Sequence, residues 1–422
     1  MKQRLFYRIM VPLVGLCLLA VKAGAAEPLS LAQAEALALA NDPLVQAYQA
    51  NTTALRARSV AADTLPDPKL KLGLVNFPTD TYKRDQEAMT QVQVGIQQMF
   101  PRGNSLEIAA RRMNFMADSE AARAVNQYRR VRQQVRQAWL EVLYWEQAAE
   151  VVQQNQALFK RLVDTLRSQY ATGRHQQQDL IRAQLELGML EDRLHTIGNM
   201  IDSGRARLSR LLGENVARTA LAGGMPTLPA VPDRAAIAAT LETHPALQMQ
   251  QAMLSASEQG VALARQGYRP EWVLDLTYGA RDGNNPNGSA RADFVSAVVS
   301  IDIPLFIGNR QDKSLAASQA ERQSAILTRE DRKRALLEQL DDAYATWQRQ
   351  ADRLHHYRST LVPAARENAA ASMHAYQNER GDFATLMRAQ ITELETSLMA
   401  VRLQVDHQKT QASLLYLSGE ES

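Results

Sequence analysis

From Tyr128 onward, apolar side chains recur three and four residues apart: Val131, Val135, Ala138, Val142, Trp145, Ala149, Val152, Phe159, Val163, Leu166 and Tyr170, with Gln156 alone polar in the seam. Such a run predicts one long helix of coiled-coil character over about 104–172. The same spacing returns at Leu336, Leu340, Ala343, Trp347, Leu354, Tyr357 and Leu361, predicting a second over about 308–378, kinked at Pro363. Return helices are expected over about 176–213 and 382–419. Four shorter segments alternate with period two instead, predicting strands over about 69–76, 90–100, 271–279 and 292–303. The clearest sets Val295, Ala297, Val299, Ile301 and Ile303 against Ser296, Ser300 and Asp302.

The recurrence extends to individual residues. LANDPLVQAYQA at 39–50 and LETHPALQMQQA at 241–252 share Leu39/Leu241, Pro43/Pro245, Gln46/Gln248, Gln49/Gln251 and Ala50/Ala252 at a constant offset of 202, which Pro68 and Pro270 keep. Tyr170, Ala183, Gln184 and Gly213 match Tyr376, Ala389, Gln390 and Gly419 at an offset of 206. The chain therefore reads as an internal duplication, with repeats at 26–221 and 234–422 joined by a Pro- and Gly-rich linker at 222–233. Within the first repeat, Ser30 with Gln33 forms a capping-box pattern, and Asp42-Pro43 supplies an N-cap followed by Pro at the first helical position. The helices starting at Pro43 and Pro245 are expected to stack on the return helices, so that each repeat supplies one continuous and one pieced-together rod.

Residues 1–25 have the layout of a secretory signal peptide: Lys2, Arg4 and Arg8, an apolar run from Ile9 to Val21, then Ala23-Gly24-Ala25. The only cysteine, Cys17, lies inside it, so the mature chain is expected to lack disulfides and Cys-ligated metal. Removing Lys2, Arg4, Arg8 and Lys22 from the 48 basic residues leaves 44 against 45 acidic ones, which argues against a nucleic-acid partner.

Export changes the reading of the strands. Ten-residue strands with one apolar and one polar face suit a transmembrane barrel, and Phe100, Trp272, Tyr278, Phe294 and Phe306 lie near strand ends, where an aromatic girdle belongs. Four strands cannot close a barrel, and open edges are not tolerated in lipid, so several copies must pool their strands. Three copies give twelve strands and twelve rods. The row expected to meet lipid on the fourth strand is Val295, Ala297, Val299, Ile301 and Ile303.

In order and duplication, these features resemble the TolC family of outer-membrane efflux channels over the mature chain. The matching residues are the NDP and THP helix starts, the strand exits at 100–104 (FPRGN) and 306–310 (FIGNR), the turns from Tyr170 to Gln184 and from Tyr376 to Gln390, and the LLG and LSG helix ends. MFPRGN and Pro363 look most like its CzcC- and CusC-like heavy-metal branch. The resemblance implies an α+β membrane protein: a homotrimer with a twelve-stranded barrel in the outer membrane and a long antiparallel helical barrel in the periplasm. It further implies a passive duct docked to a periplasmic adaptor and an inner-membrane pump, often of the resistance-nodulation-division type; membership of the heavy-metal branch would make metal ions its cargo. The gate and docking tips would then lie at Gly173-Arg174 and Arg380-Gly381-Asp382, where glycine is expected to end one helix and reverse the chain. Relatives often carry acids one turn beyond. Here those positions are Asp179 and Arg182, and Thr385 and Arg388, so the chain departs from that pattern by holding arginines. These charges either solvate exposed helix ends or form ion pairs of Asp382 with Arg380 and Arg388 between helices that keep the tip closed until the adaptor binds.

The residues offer no enzyme. There is no nucleophile elbow, phosphate loop, HExxH or histidine cluster with ligand spacing, and neither a cofactor nor a metal site is expected. His355-His356 point in different directions from one helix, and DGNNPNG at 282–288 is broken by Pro286 and lacks the bidentate Glu of a calcium loop. Two alternatives stand beside the efflux duct: a channel for type I protein secretion and a soluble periplasmic coiled-coil scaffold.

Overall fold

The computed structural model describes residues 28–172 and 176–419. The signal segment, Cys17 and the Gly173-Arg174 turn lie outside them. In the first repeat α1 (Leu31–Asn41), α2 (Pro43–Ala62), strands β1 (Lys69–Val75) and β2 (Gln91–Phe100), α3 (Ser105–Ala171) and α4 (Gln177–Leu212) follow one another, and a single turn α5 (Glu214–Ala217) leads into the extended linker. The second repeat runs α6 (Arg234–Thr240), α7 (Pro245–Gln266), β3 (Glu271–Ala280), β4 (Phe294–Asp302), α8 (Gln311–His356), α9 (Val362–Gln377) and α10 (Phe383–Ser418).

Local chemistry sets the helix starts. The Ser30 hydroxyl accepts from the Gln33 amide at 3.3 Å while Gln33 Oε1 accepts from the Ser30 amide at 2.9 Å, a reciprocal capping box. Asp42 Oδ1 accepts from the Val45 amide at 2.8 Å, and Pro43 follows as the first helical residue, where its missing N–H costs nothing. In the copy the cap is His244, whose Nδ1 accepts from the Ala246 amide at 3.2 Å. Histidine is not an ordinary N-cap.

The helices form a layer of four rods. α3, with 67 residues and a span of ~100 Å, is the continuous one. α2 flanks its sheet-proximal part, where Arg56 meets Asp118 at 2.7 Å, and α4 flanks its distal part. On the other side of α3 lie α7 and then α10, and beyond them the α8–α9 rod. Gly204 lets α4 come close to α3, since a Cβ there would stand 2.7 Å from Val142 Cγ2. The α8–α9 rod is interrupted by a π turn, Tyr357–Leu361, just before Pro363. Proline lacks an N–H and crowds the carbonyl of the preceding turn, and the wider π turn accommodates both.

Three apolar clusters hold the layer. Trp139, Leu140 and Val142 of α3 pack with Leu29, Leu31 and Ala34, and with Leu208 and Val405 of α4 and α10. Phe159, Leu166, Ala183, Phe383 and Leu386 form the distal cluster; Ile237, Leu247, Leu336, Leu340 and Leu414 form the third. α1 and the linker make a belt over one face of the rods. Glu35 receives the buried Arg136 at 2.7 Å, and Gln408 and Gln411 donate to the Pro226 and Pro229 carbonyls at 2.8 and 2.7 Å. No helix of the described residues is long and apolar enough to cross a membrane.

Candidate functional site: the sheet faces and the rod tips

The sheet is antiparallel in the order β1-β2-β3-β4, so β1 and β4 are its edges. Register carries the alternation across all four strands. Leu72 faces Val94, Val94 faces Tyr278, and Tyr278 faces Val295; Leu70, Ile96, Leu276 and Ala297 align in the same way. One face is thus an apolar band interrupted at Gln98, while the other carries Lys71, Gln93, Gln97, Asp275, Thr277, Ser296 and Ser300. Of the apolar row on β4, Val295 is 80% exposed and Val299 57%, so no described residue covers that row. Ile303 sits one residue past the strand end. Phe100 stacks on Trp272 at 4.0 Å at the rod end of the sheet, and Tyr278 occupies the same band near its far end.

The polar face holds its own charges. Lys71 pairs with Asp275, which Gln97 also approaches at 3.5 Å. At the junction with the rods Arg102 pairs with Asp302 and donates to the Gly267 carbonyl at 2.9 Å, tying both repeats together. At the far end, Arg291 Nη1 donates to the carbonyls of Asp85, Glu87 and Asp282, each at 3.1 Å, and Arg84 meets Asp282 at 2.8 Å. The two hairpin loops are clamped to each other by these contacts.

At the opposite end of the molecule the rods reverse. The Glu379 amide donates to the Tyr376 carbonyl at 3.0 Å and the Arg380 amide to the Ala375 carbonyl at 2.9 Å, the paired bonds of a Schellman turn. The left-handed residue this turn needs is Glu379, with φ of 58°, and not Gly381. Gly381 serves another need: a Cβ there would lie 3.2 Å from Ala375 Cβ. Asp382 then caps α10, Oδ1 accepting from the Thr385 amide at 2.7 Å and Oδ2 from its hydroxyl at 2.8 Å. These bonds, with the Arg388 charge contributing less, hold the Asp382 carboxyl below the usual carboxylate range.

Within one chain, then, both oxygens of Asp382 serve Thr385, and the nearest use of Arg388 is a 3.4 Å bond from Nε to the Ala384 carbonyl. Arg380 contributes its backbone to the turn, and Arg182 is an exposed residue of α4. The other tip differs. Gln176, at the position equivalent to Asp382, starts α4 without a side-chain cap. Asp179 in the first turn of α4 lies near enough to Tyr376 that its charge, after burial, helps push the phenol up. Tyr376 and Phe383, rings 5.8 Å apart, bring the second tip into the distal core, and Phe383 is buried. The second seam read from the sequence stops at Leu361; Phe383, standing directly after an N-cap aspartate, is the signal for the rest.

Among the described residues no group of three or more His, Cys, Asp or Glu could hold a metal ion.

Residues 236–420 match the family model described as outer membrane efflux protein. No curated protein matches the chain in sequence. Among solved structures, one of CusC is 14% identical, with a TM-score of 0.76, over 93% of this chain and 92% of that one. VceC of Vibrio cholerae, 17% identical, gives 0.76 over 92% and 96%; the open state of the MtrE outer membrane channel of Neisseria gonorrhoeae, 14% identical, gives 0.75 over 92% and 88%. At these identities the likeness is one of fold, and it spans both repeats.

Proposed function

From the premise that this chain belongs, through residues 236–420, to the outer membrane efflux protein family and resides in the outer membrane with its rods in the periplasm, we propose that it is the exit duct of a tripartite efflux system. Family and fold are those of channels, not of an enzyme. The observation that carries the reading is the alignment of apolar and polar rows across four strands whose two edges are unpaired.

A sheet with one face apolar from edge to edge is stable with that face in hydrocarbon, and its edges must then find partners, because an unpaired backbone group in lipid costs several kcal/mol. Three copies joined β4 to β1 close twelve strands, with the Lys71–Asp275 face inward and wet. The row Val295, Ala297, Val299, Ile301 and Ile303 then meets lipid. Beneath the barrel, three four-rod layers make a ring of twelve, continuing the passage to the tips at Gly173-Arg174 and Arg380-Gly381-Asp382, which dock onto a periplasmic adaptor and an inner-membrane pump of the resistance-nodulation-division type. The duct has no energy source, so the pump drives export and heavy-metal ions or organic compounds travel as its cargo.

Deleting the gene in cells with and without the cognate pump tests this. Sensitivity to a panel of metal ions and organic toxic compounds should rise only where the pump is present. A defect independent of any pump, or a free periplasmic monomer on fractionation, would overturn the reading.

A further inference from the structure

A groove of about 820 Å³ runs along α3 between α4 and α10. On α3 it is lined by Gln134, Ala138 and Glu141, half a helical turn away from Trp139 and Arg136, which the belt covers. On α10 it is lined by Lys409, roughly opposite Gln411, which bonds to the belt. The groove therefore opens on the face of the layer that the belt leaves bare. A second layer inside a ring of rods would obstruct the passage, so in the duct proposed above the belt lies outside and the groove faces the lumen.

Its charge is one-sided. The lining holds three cations, Arg207, Arg210 and Lys409, against one carboxylate, Glu141. Glu141 is already taken by Lys409 and by Arg402, the latter at 3.2 Å. Arg207 and Arg210, three residues apart on one face of α4 and both exposed, form no ion pair among the described residues. Ala138, Ala206 and Leu211 give the same groove apolar walls. Two guanidiniums beside a hydrophobic surface fit a carboxylate or sulfonate on an apolar body. They repel a metal cation. Inside a narrow duct, low-dielectric walls concentrate such a field and raise the local concentration of the ion it attracts.

We infer that this luminal groove is a binding site for small organic anions, held by Arg207 and Arg210, and that the duct favours anionic over cationic cargo at this level. The inference rests on the efflux-duct reading.

The test uses the purified full-length protein in detergent, with 2-naphthoate and its uncharged counterpart 2-naphthamide as probes in equilibrium dialysis. The acid should bind at least tenfold more tightly than the amide, and raised salt should erode the difference. Arg207→Gln with Arg210→Gln should abolish the preference, while Arg207→Lys with Arg210→Lys should keep it. Equal binding of acid and amide to the wild type would overturn the inference, as would a preference that survives the glutamine pair. Outer-membrane fractionation and trimer migration are scored on the same preparation. An outer-membrane trimer without the preference defeats the anion site alone, whereas a soluble monomer defeats the duct and the site together.

Discussion

His244 Nε2 lies 3.2 Å from the Tyr416 carbonyl oxygen, and the two rings meet edge to face at 5.1 Å. A carbonyl can only accept, so Nε2 carries the proton, and Nδ1 must stay bare to accept from Ala246. Burial, the Arg129 charge and, less, that of Arg332 outweigh the Tyr416 bond and lower the imidazole from 6.5 to about 4. Between those values the unfolded chain binds a proton that the folded chain refuses. Stability from this group is therefore complete above pH 6.5 and is lost as pH falls toward 4, by up to ~3 kcal/mol per chain. Thermal unfolding at pH 7 and pH 4.5 should show the drop in the wild type. In His244→Asn, which caps without titrating, the part of the drop due to this group should vanish.

On β4, Val299→Arg should cost ~2–4 kcal/mol if the row faces the bilayer midplane, while Ser300→Arg, one residue away on the polar face, should be mild. Yield of heat-sensitive trimer in outer-membrane fractions measures both. Equal losses would sink the barrel assignment.

The tip separates two kinds of closure. Replacing Asp382 by Ala removes the α10 cap and should speed amide exchange at Thr385. Asp382→Asn keeps a cap and loses the charge. If ion pairs between helices close the tip, the Asn variant should raise single-channel conductance as the Ala variant does; if the cap does, only Ala should. Arg388→Ala should raise conductance under the first account and leave it unchanged under the second.

Glu379 holds a left-handed conformation that costs a residue with a Cβ ~1–2 kcal/mol. Glu379→Gly relieves that cost and adds freedom to the unfolded chain, so a net gain of up to ~1 kcal/mol in unfolding free energy is expected. A loss would mean that the Glu379 side chain contributes to the tip.

The loop clamp gives a prediction outside the cell. Arg291→Ala removes three carbonyl contacts at once and should expose residues 80–90 to added protease on intact cells, where the wild type resists.

What the sequence revealed depended on how far each signal reached along the chain. The seam from Tyr128 to Tyr170 repeats over many turns, so α3 was legible almost to the residue, and the period-two rows of β3 and β4 were equally plain. Asp42-Pro43 marked a helix start because both residues act locally. The His244 cap was hidden because it depends on Tyr416, 172 residues away. The left-handed Glu379 was hidden because glycine, two positions on, was the usual candidate. The groove beside α3 was hidden for a plainer reason: Arg207, Arg210 and Glu141 are ordinary surface residues until three helices bring them to one hollow.

The π turn at Tyr357–Leu361 has a consequence for anything that meets the far ends of the rods. One additional residue per turn rotates everything below it by about a quarter revolution or more relative to an uninterrupted helix. α3 has no such interruption, and the return helices start differently as well: α4 at Gln176 without a side-chain cap, α10 at Asp382, which caps it. A trimer would show six near-copies in sequence and yet two alternating kinds of rod and return-helix start. A partner ring of six identical subunits would have to grip in two modes, and a ring of three could choose one kind and ignore the other.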